Sequence, residues 1–270
     1  MTGQIRANIS ANLIFYRRNR LLLAASLFIL LALGLTIVPS LFFLSATKRL
    51  EQITMIFTQI NFFAMIVTAG AGMLFVSQHI KDRSVKMVFT KPCLPETWLL
   101  SSYLSAALVA AALYAGSFLI STVLAAAWGI PFPTGLVFIT AKEFLLAVAI
   151  MAYVTFLSVL VHPVLAFMIA VVLQEGLFYW LKILIGGGLK AAGAKAAFPL
   201  LKPLKVLVDI VYFVLPTFNP YSDKTQLVSA NLRGFDVDWS YLSLIALYAL
   251  ALAGLFYFLT VIALKKKRYV

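Results

Sequence analysis

The stretch LLSSYLSAALVAAALYAGSFLISTVLAAAW, residues 99–128, carries no charged side chain and decides the class of fold. A membrane-spanning helix needs about 20 consecutive, mostly apolar residues, and this stretch is longer than that. It is also rich in alanine, serine and other small residues, which let spanning helices pack closely against one another. The stretch therefore predicts a transmembrane helix that belongs to a helical bundle.

The rest of the chain has the same character. Hydrophobic residues make up 63% of it and charged residues 11%, against about 45–50% and about 25% in a soluble domain. The apolar runs predict an all-α, polytopic membrane protein whose residues 21–270 form one transmembrane domain. Six spans are predicted, at about 21–44, 53–77, 99–128, 137–160, 163–185 and 240–264. This composition excludes a secreted domain, a cytosolic enzyme and a disordered scaffold.

Residues 1–20 differ from the spans that follow. They are polar, with Ile5, Ile9 and Leu13 at roughly helical spacing. This pattern predicts an amphipathic helix that lies on the membrane surface, and a frayed terminal tail is the alternative. No small-residue cleavage site follows the first apolar run, so a removed signal peptide is not expected.

The basic residues are placed at the edges of apolar runs. The net charge is +13, with clusters such as Arg17, Arg18 and Arg20 before the first predicted span and 265–268 after the last. Positions of this kind suit anionic lipid headgroups and membrane orientation rather than a nucleic-acid groove. Membrane lipids are therefore expected partners, and nucleic acid is not.

The distribution of Lys and Arg among the connections predicts the topology. The N-terminus, the 78–98 loop and the C-terminal tail are basic and fall on one side, so both termini are expected in the cytoplasm. The connection 186–239 is long and contributes weakly to this rule. Its part 199–218 carries Lys202 and Asp209 and is interpreted as a re-entrant or interfacial segment, with a seventh span as the alternative.

Four polar side chains lie inside the predicted spans, where they are expensive and often functional. They are Gln59, Asn61, Gln174 and Glu175. Each is a candidate either for an interhelical hydrogen bond or for substrate handling. For Glu175 the interhelical hydrogen bond is the favoured interpretation. Lys142 and Glu143, near the outer end of the fourth span, are interpreted as boundary anchors that reach water or pair with each other, rather than as a site.

No catalytic, cofactor-binding or metal site is predicted. His79, His162 and Cys93 have no neighbouring ligand cluster, and the glycines at 186–188 lack the Lys-Ser/Thr pair of a phosphate-binding loop. The chain is therefore not expected to be an enzyme by itself.

The text SQHIKDRSVKMVFTKPCLPETW, residues 77–98, resembles the segment between the second and third spans of the permease subunits of type-2 ATP-binding cassette exporters. Those subunits have an acidic residue, a short helix and a Lys-Pro or Leu-Pro pair here, as in Asp82 and Lys91-Pro92. The segment LPTFNP at 215–220 is similar to one in the last external loop of the same family. Within the family, the multicopper-enzyme-maturation permeases are the most similar subgroup, because they resemble this chain in the Lys-Pro form of the pair. The resemblance does not extend to their substrate.

The resemblance implies that loop 78–98 couples the chain to a separate cytoplasmic ATPase, on which ATP is bound. The residues expected to do so are Lys81, Asp82, Arg83, Lys91, Pro92 and Glu96. It also implies a dimer with a second permease copy, identical or related, an accessory periplasmic protein as a further partner, and a bacterial plasma (inner) membrane location. Lipid, glycan, drug, peptide and metal-related cargo all stay open.

Three other interpretations remain at this point. The 78–98 loop is a basic anchor and nothing more, or the chain is an ion-coupled secondary transporter that uses Glu175, or it is a membrane assembly factor that transports nothing. Inverted repeats would favour the secondary transporter, and none is visible in the sequence.

Overall fold

The computed structural model describes residues 2–18, 46–81, 95–129, 134–173, 175–191, 201–216 and 239–266. The regular structure of these residues is α-helical throughout, which confirms the all-α fold. The helices are α1 Thr2–Arg18, α2 Ala46–Lys81, α3 Pro95–Ala127, α4 Thr134–Leu160, α5 Pro163–Val172, α6 Glu175–Ala191, α7 Leu201–Val214 and α8 Trp239–Lys266.

Five segments of the described chain are long and apolar enough to cross a membrane. They are Ile56–Ser77, Glu96–Ala127, Gly135–Leu160, Pro163–Ile185 and Leu242–Lys266. These segments agree with five of the predicted spans and confirm the membrane-like character of the chain. The remaining predicted span, 21–44, lies outside the described residues.

Helix α4 is the centre of the bundle and packs against α2, α3, α5 and α8. Its contact positions include Ala147, Ala149 and Ala152, all of which are fully buried. Small side chains let neighbouring backbones approach closely, and this is how spanning helices gain packing energy in the absence of a hydrophobic force between them. The run of alanines in α4 therefore explains why one helix can contact four others.

Helices α2 and α4 pack tightly at Gly72. A Cβ atom at this position would lie 2.6 Å from Cγ of Met151 and 2.7 Å from Oγ1 of Thr155. Such distances are far below a van der Waals contact, so any side chain at this position would force the side chains of Met151 and Thr155 to shift. At Gly70, one half-turn earlier in α2, a Cβ atom would meet nothing within 4 Å.

The predicted span 163–185 is not one continuous helix. Helix α5 ends at Val172, and Leu173 leaves the helical conformation while its N–H still donates to the carbonyl of Ile169 at 2.6 Å. The carbonyl of Leu173 accepts a hydrogen bond from the Tyr153 hydroxyl of α4 at 3.2 Å. A partner from another helix thus replaces the helical partner of this carbonyl, as backbone groups at membrane depth require.

Helices α6 and α7 pack against each other as a hairpin. Nζ of Lys182 in α6 lies 3.7 Å from the Asp209 carboxylate of α7 and 4.9 Å from the centre of the Tyr212 ring. At 14 residues, α7 is shorter than the ~20 residues that a span needs, which agrees with its interpretation as something other than an extra span. Its re-entrant or interfacial position stays a prediction.

We predict that Gly72→Ala lowers the stability of the bundle, because the new methyl group forces Met151 and Thr155 away from α2. Overpacking of this kind costs about 1–3 kcal/mol. The matched control is Gly70→Ala, which has room and gains up to ~1 kcal/mol of helix propensity. Thermal unfolding of the two purified variants in the same detergent checks this, and equal melting temperatures would contradict the packing described at Gly72.

Candidate functional site

The candidate site lies at the end of the bundle where α2 ends and α3 begins. The structure places residues 78–81 in α2 and residues 95–98 in α3, so both ends of the predicted loop 78–98 are helical, and residues 82–94 lie outside the described residues. Of the residues predicted to couple to an ATPase, Glu96 is described with its side chain. Asp82, Arg83, Lys91 and Pro92 lie outside the described residues, and Lys81 is described only as the last residue of α2.

Glu96 fastens the first turn of α3 to the last turns of α8. Its carboxylate pairs with Nζ of Lys265 at 2.5 Å, and its backbone carbonyl accepts a hydrogen bond from the Tyr257 hydroxyl at 2.8 Å. A carboxylate near a helix N-terminus and a lysine near a helix C-terminus each also complement the helix dipole. The sequence therefore places both charges where their own helices favour them, and the fold then brings them together.

Aromatic rings pack directly beneath this ion pair. The Phe75 ring of α2 lies 5.9 Å from the Trp98 ring of α3 and 6.1 Å from the Tyr16 ring of α1, measured between centres. On the other side of α3, the rings of Tyr103 and Tyr257 meet edge to face at 5.6 Å. We call Tyr16, Phe75, Glu96, Trp98, Tyr257 and Lys265 the anchor cluster, because they join α1, α2, α3 and α8 at one end of the bundle.

Helix α1 is held against the bundle by specific contacts. The Asn12 side-chain amide donates to Oγ of Ser105 in α3 at 3.1 Å, and the Tyr16 hydroxyl donates to the carbonyl of Ala71 in α2 at 3.3 Å. Burial raises the pKa of the Tyr16 hydroxyl well above its usual range, so the hydroxyl remains a donor at physiological pH. Residues 2–18 are therefore a docked helix and not a frayed tail, while their position on a membrane surface stays a prediction.

Sequence reasoning identified Glu96 but missed its partners Tyr257 and Lys265, and it missed the ring contact of Tyr16 with Phe75. Glu96 and Lys265 lie at opposite ends of the chain, and no local pattern joins them. The one available signal was that aromatic residues gather at the span ends beside the loop.

The polar residues predicted inside the spans do not share one position. Gln59 is exposed on the outside of α2, whereas Asn61 is 1% exposed and faces the bundle. Gln174 lies outside the described residues, and Glu175 is described only as the first residue of α6. The structure therefore separates Gln59 from Asn61, and Asn61 is the one with described partners inside the bundle.

Asn61 is at the centre of a polar contact between α2, α3 and α4. Oγ of Ser117 donates to Oδ1 of Asn61 at 2.6 Å, and the Tyr114 hydroxyl donates to its backbone carbonyl at 3.2 Å. The Glu143 carboxyl lies close to the Asn61 amide. Lys142 is 3% exposed, so the prediction that it reaches water at the membrane boundary is wrong: the helical phase of α4 turns it into the bundle.

Within the described ranges, no group of three His, Cys, Asp or Glu side chains is arranged to hold a metal ion. The described contacts of the anchor cluster are hydrogen bonds, an ion pair and aromatic packing.

No protein-family model and no curated protein matches this chain. Function is therefore inferred from its residues and their packing.

We predict a specific energetic coupling between Glu96 and Lys265. Glu96→Lys and Lys265→Glu should each lower the melting temperature, and the double variant should recover part of the loss. Because both side chains are partly exposed, the coupling is expected to be about 1 kcal/mol or less. The control cycle combines Glu96→Lys with Lys266→Glu, which places the same charge in the last turn of α8. Equal coupling in the two cycles would show that the ion pair has no specific role.

Proposed function

We propose that this chain is the permease subunit of a type-2 ATP-binding cassette exporter, in which a separate cytoplasmic ATPase docks on loop 78–98. The resemblance of residues 77–98 suggests this family. The physical observation that carries the proposal is the attachment of Glu96, the described end of the loop, to α8 through both its side chain and its backbone.

A coupling loop has to pass force to the spans and not merely bend. Helix α3 begins at Pro95, and its first turn is held by Lys265 and Tyr257 of α8, while Trp98 packs on Phe75 of α2. Helix α1 joins the same cluster through Tyr16. A load applied to the loop therefore reaches four helices at once, which is the property that an ATPase-driven permease needs.

The packing divides the loop residues into two roles. Glu96 is already paired with Lys265 within the chain, so we assign it to holding the loop in place. Docking of the ATPase then falls to Lys81, Asp82, Arg83 and Lys91, whose mixed charges can be complemented by a partner surface. The alternative is that the loop is a basic anchor for lipid headgroups. Such an anchor requires only a net positive charge, and it does not require acidic and basic residues at particular positions.

The proposal also includes a second permease copy, because six spans form half of the usual pathway in this family. The second copy is identical or related, an accessory periplasmic protein is a further partner, and the location is a bacterial plasma membrane. Neither an ion-coupled transporter nor an assembly factor accounts for the firm attachment of the loop as directly.

Six spans with both termini in the cytoplasm are part of the proposal. Tyr16 contacts Ala71, whereas α2 begins at Ala46, about 37 Å away along the helix at 1.5 Å per residue. The contact of Tyr16 and the beginning of α2 thus lie at opposite ends of the bundle, and this separation supports the proposal of a span at 21–44. The pairing of Glu96 with Lys265 supports a common side for the loop and the C-terminus.

We predict that Thr225 and Val270 lie on opposite sides of the membrane. In a Cys93→Ser background the chain has no other cysteine, so single cysteines at these positions report their own side. A membrane-impermeant thiol reagent should label position 225 in intact cells and position 270 only after permeabilisation. The reverse pattern, with position 270 labelled in intact cells and position 225 only after permeabilisation, would replace six spans with seven, because an extra span at 199–218 moves both positions to the other side.

We predict that exchanging the loop charges, with Asp82→Lys and Arg83→Glu together, weakens binding of the ATPase. The net charge of the chain is unchanged by this exchange, so a lipid anchor would be unaffected. The measurement is the amount of ATPase that co-purifies with the permease, together with the hydrolysis rate of the complex. Both should fall several-fold while membrane insertion stays normal.

The matched control is Arg49→Glu with Glu51→Lys, which makes the same kind of exchange near the beginning of α2, at the opposite end of that helix. ATPase co-purification should be normal in this variant. If the two double variants behave alike, loop 78–98 is not the docking site.

A further inference from the structure

A layer of polar side chains crosses the bundle near the end opposite the anchor cluster. Its members are Asn61 of α2, Ser117 and Ser121 of α3, and Lys142 and Glu143 of α4, and we call them the polar layer. Asn61 is near the beginning of the segment Ile56–Ser77, and Glu143 is in the first half of Gly135–Leu160. Ionisable side chains at such depth are a functional-site hypothesis by default.

Two buried atoms of the polar layer make no hydrogen bond within the described part of the chain. They are Nδ2 of Asn61 and Oγ of Ser121. Both residues are at most 1% exposed, and a buried polar group without a partner costs about 1–3 kcal/mol. Since more than ~90% of such groups in proteins are bonded, a polar layer built only to hold helices together would not leave two of them unpaired.

The charged side chains of the polar layer also need hydrogen-bond partners. The Glu143 carboxyl lies within hydrogen-bonding reach of the Asn61 side chain, and it is close enough to Lys142 and to the Tyr114 hydroxyl for their charges to interact. Lys142 and Glu143 are successive residues, so their side chains diverge by about 100° around α4. Glu143 is only partly exposed, and a charged group with little access to water is expensive unless hydrogen bonds satisfy it.

Apolar residues close the polar layer on both sides along the bundle. On the side away from the anchor cluster there is a buried cluster of Phe57, Leu136, Phe138 and Ile139. On the side towards the anchor cluster there is the main core, which includes Ala147 and Ile150. Any occupant must therefore be small. It must also accept a hydrogen bond from the Asn61 amide and donate one to the Glu143 carboxyl.

We propose that the polar layer is a binding site for internal water. A water molecule accepts from Nδ2 of Asn61 and donates to the Glu143 carboxyl, and the hydroxyl of Ser121 extends the hydrated region by one turn of α3. Buried water typically makes about three such bonds to polar groups that the protein leaves unpaired. Internal water at this position hydrates Lys142 and Glu143 inside the spanning bundle. This inference does not depend on whether the chain is an exporter subunit.

The test is hydroxyl-radical footprinting of the purified protein by X-ray radiolysis in ¹⁸O-labelled water. Radicals formed from bound water oxidise the side chains beside it, including buried ones. Tyr114 is 2% exposed and bonded to Asn61, so it should gain ¹⁸O several-fold faster than Tyr16, which is 6% exposed and packed among aromatic rings. Equal rates at the two tyrosines in the wild-type protein would overturn the proposal.

Two substitutions locate the water. Asn61→Leu removes the unpaired donor and fills its space, and it should reduce the oxidation of Tyr114 to the rate of Tyr16. Gln59→Leu, on the exposed side of the same helix, should leave the oxidation of Tyr114 unchanged. Undiminished oxidation in Asn61→Leu would show that the water lies elsewhere, and the wild-type comparison decides the matter alone if this variant fails to fold.

Discussion

Close packing on α4 is the constraint on which the rest of the structure depends. Lipid tails are as apolar as leucine, so spanning helices associate through close contact and interhelical hydrogen bonds instead of through a hydrophobic force. Gly72 allows α2 to approach Met151 and Thr155 of α4, and the alanines of α4 do the same for its other neighbours. With α2 and α4 fixed at this distance, the ends of α2 and α3 also occupy fixed positions on either side of loop 78–98.

The anchor cluster makes use of this rigidity. Its ion pair alone is partly exposed and contributes little to stability, but it acts together with the buried rings of Phe75 and Trp98 and with the hydroxyl of Tyr257. The combination attaches the first turn of α3 to α8.

The sequence was sufficient to predict the features that depend on length and polarity. Five predicted spans coincide with the described membrane-like helices, because a backbone in lipid must satisfy its own hydrogen bonds and only long apolar helices do so there. The break after Val172 was not predictable, since it depends on the Tyr153 hydroxyl of another helix. The burial of Lys142 depends on the rotation of α4 relative to its neighbours, and the partner of Glu96 lies in the last turn of α8. Both are properties of tertiary packing that no local pattern encodes.

The central claim is that this chain works as a permease with a separate ATPase attached at loop 78–98. The most direct measurement is native mass spectrometry of the protein purified in a mild detergent from the membranes of its own cells. The account predicts a complex of two permease copies and two cassette ATPases, with chemical cross-links from the ATPase to Lys81 or Lys91. A protein that purifies as a single chain, or as an oligomer without an ATPase, would contradict it.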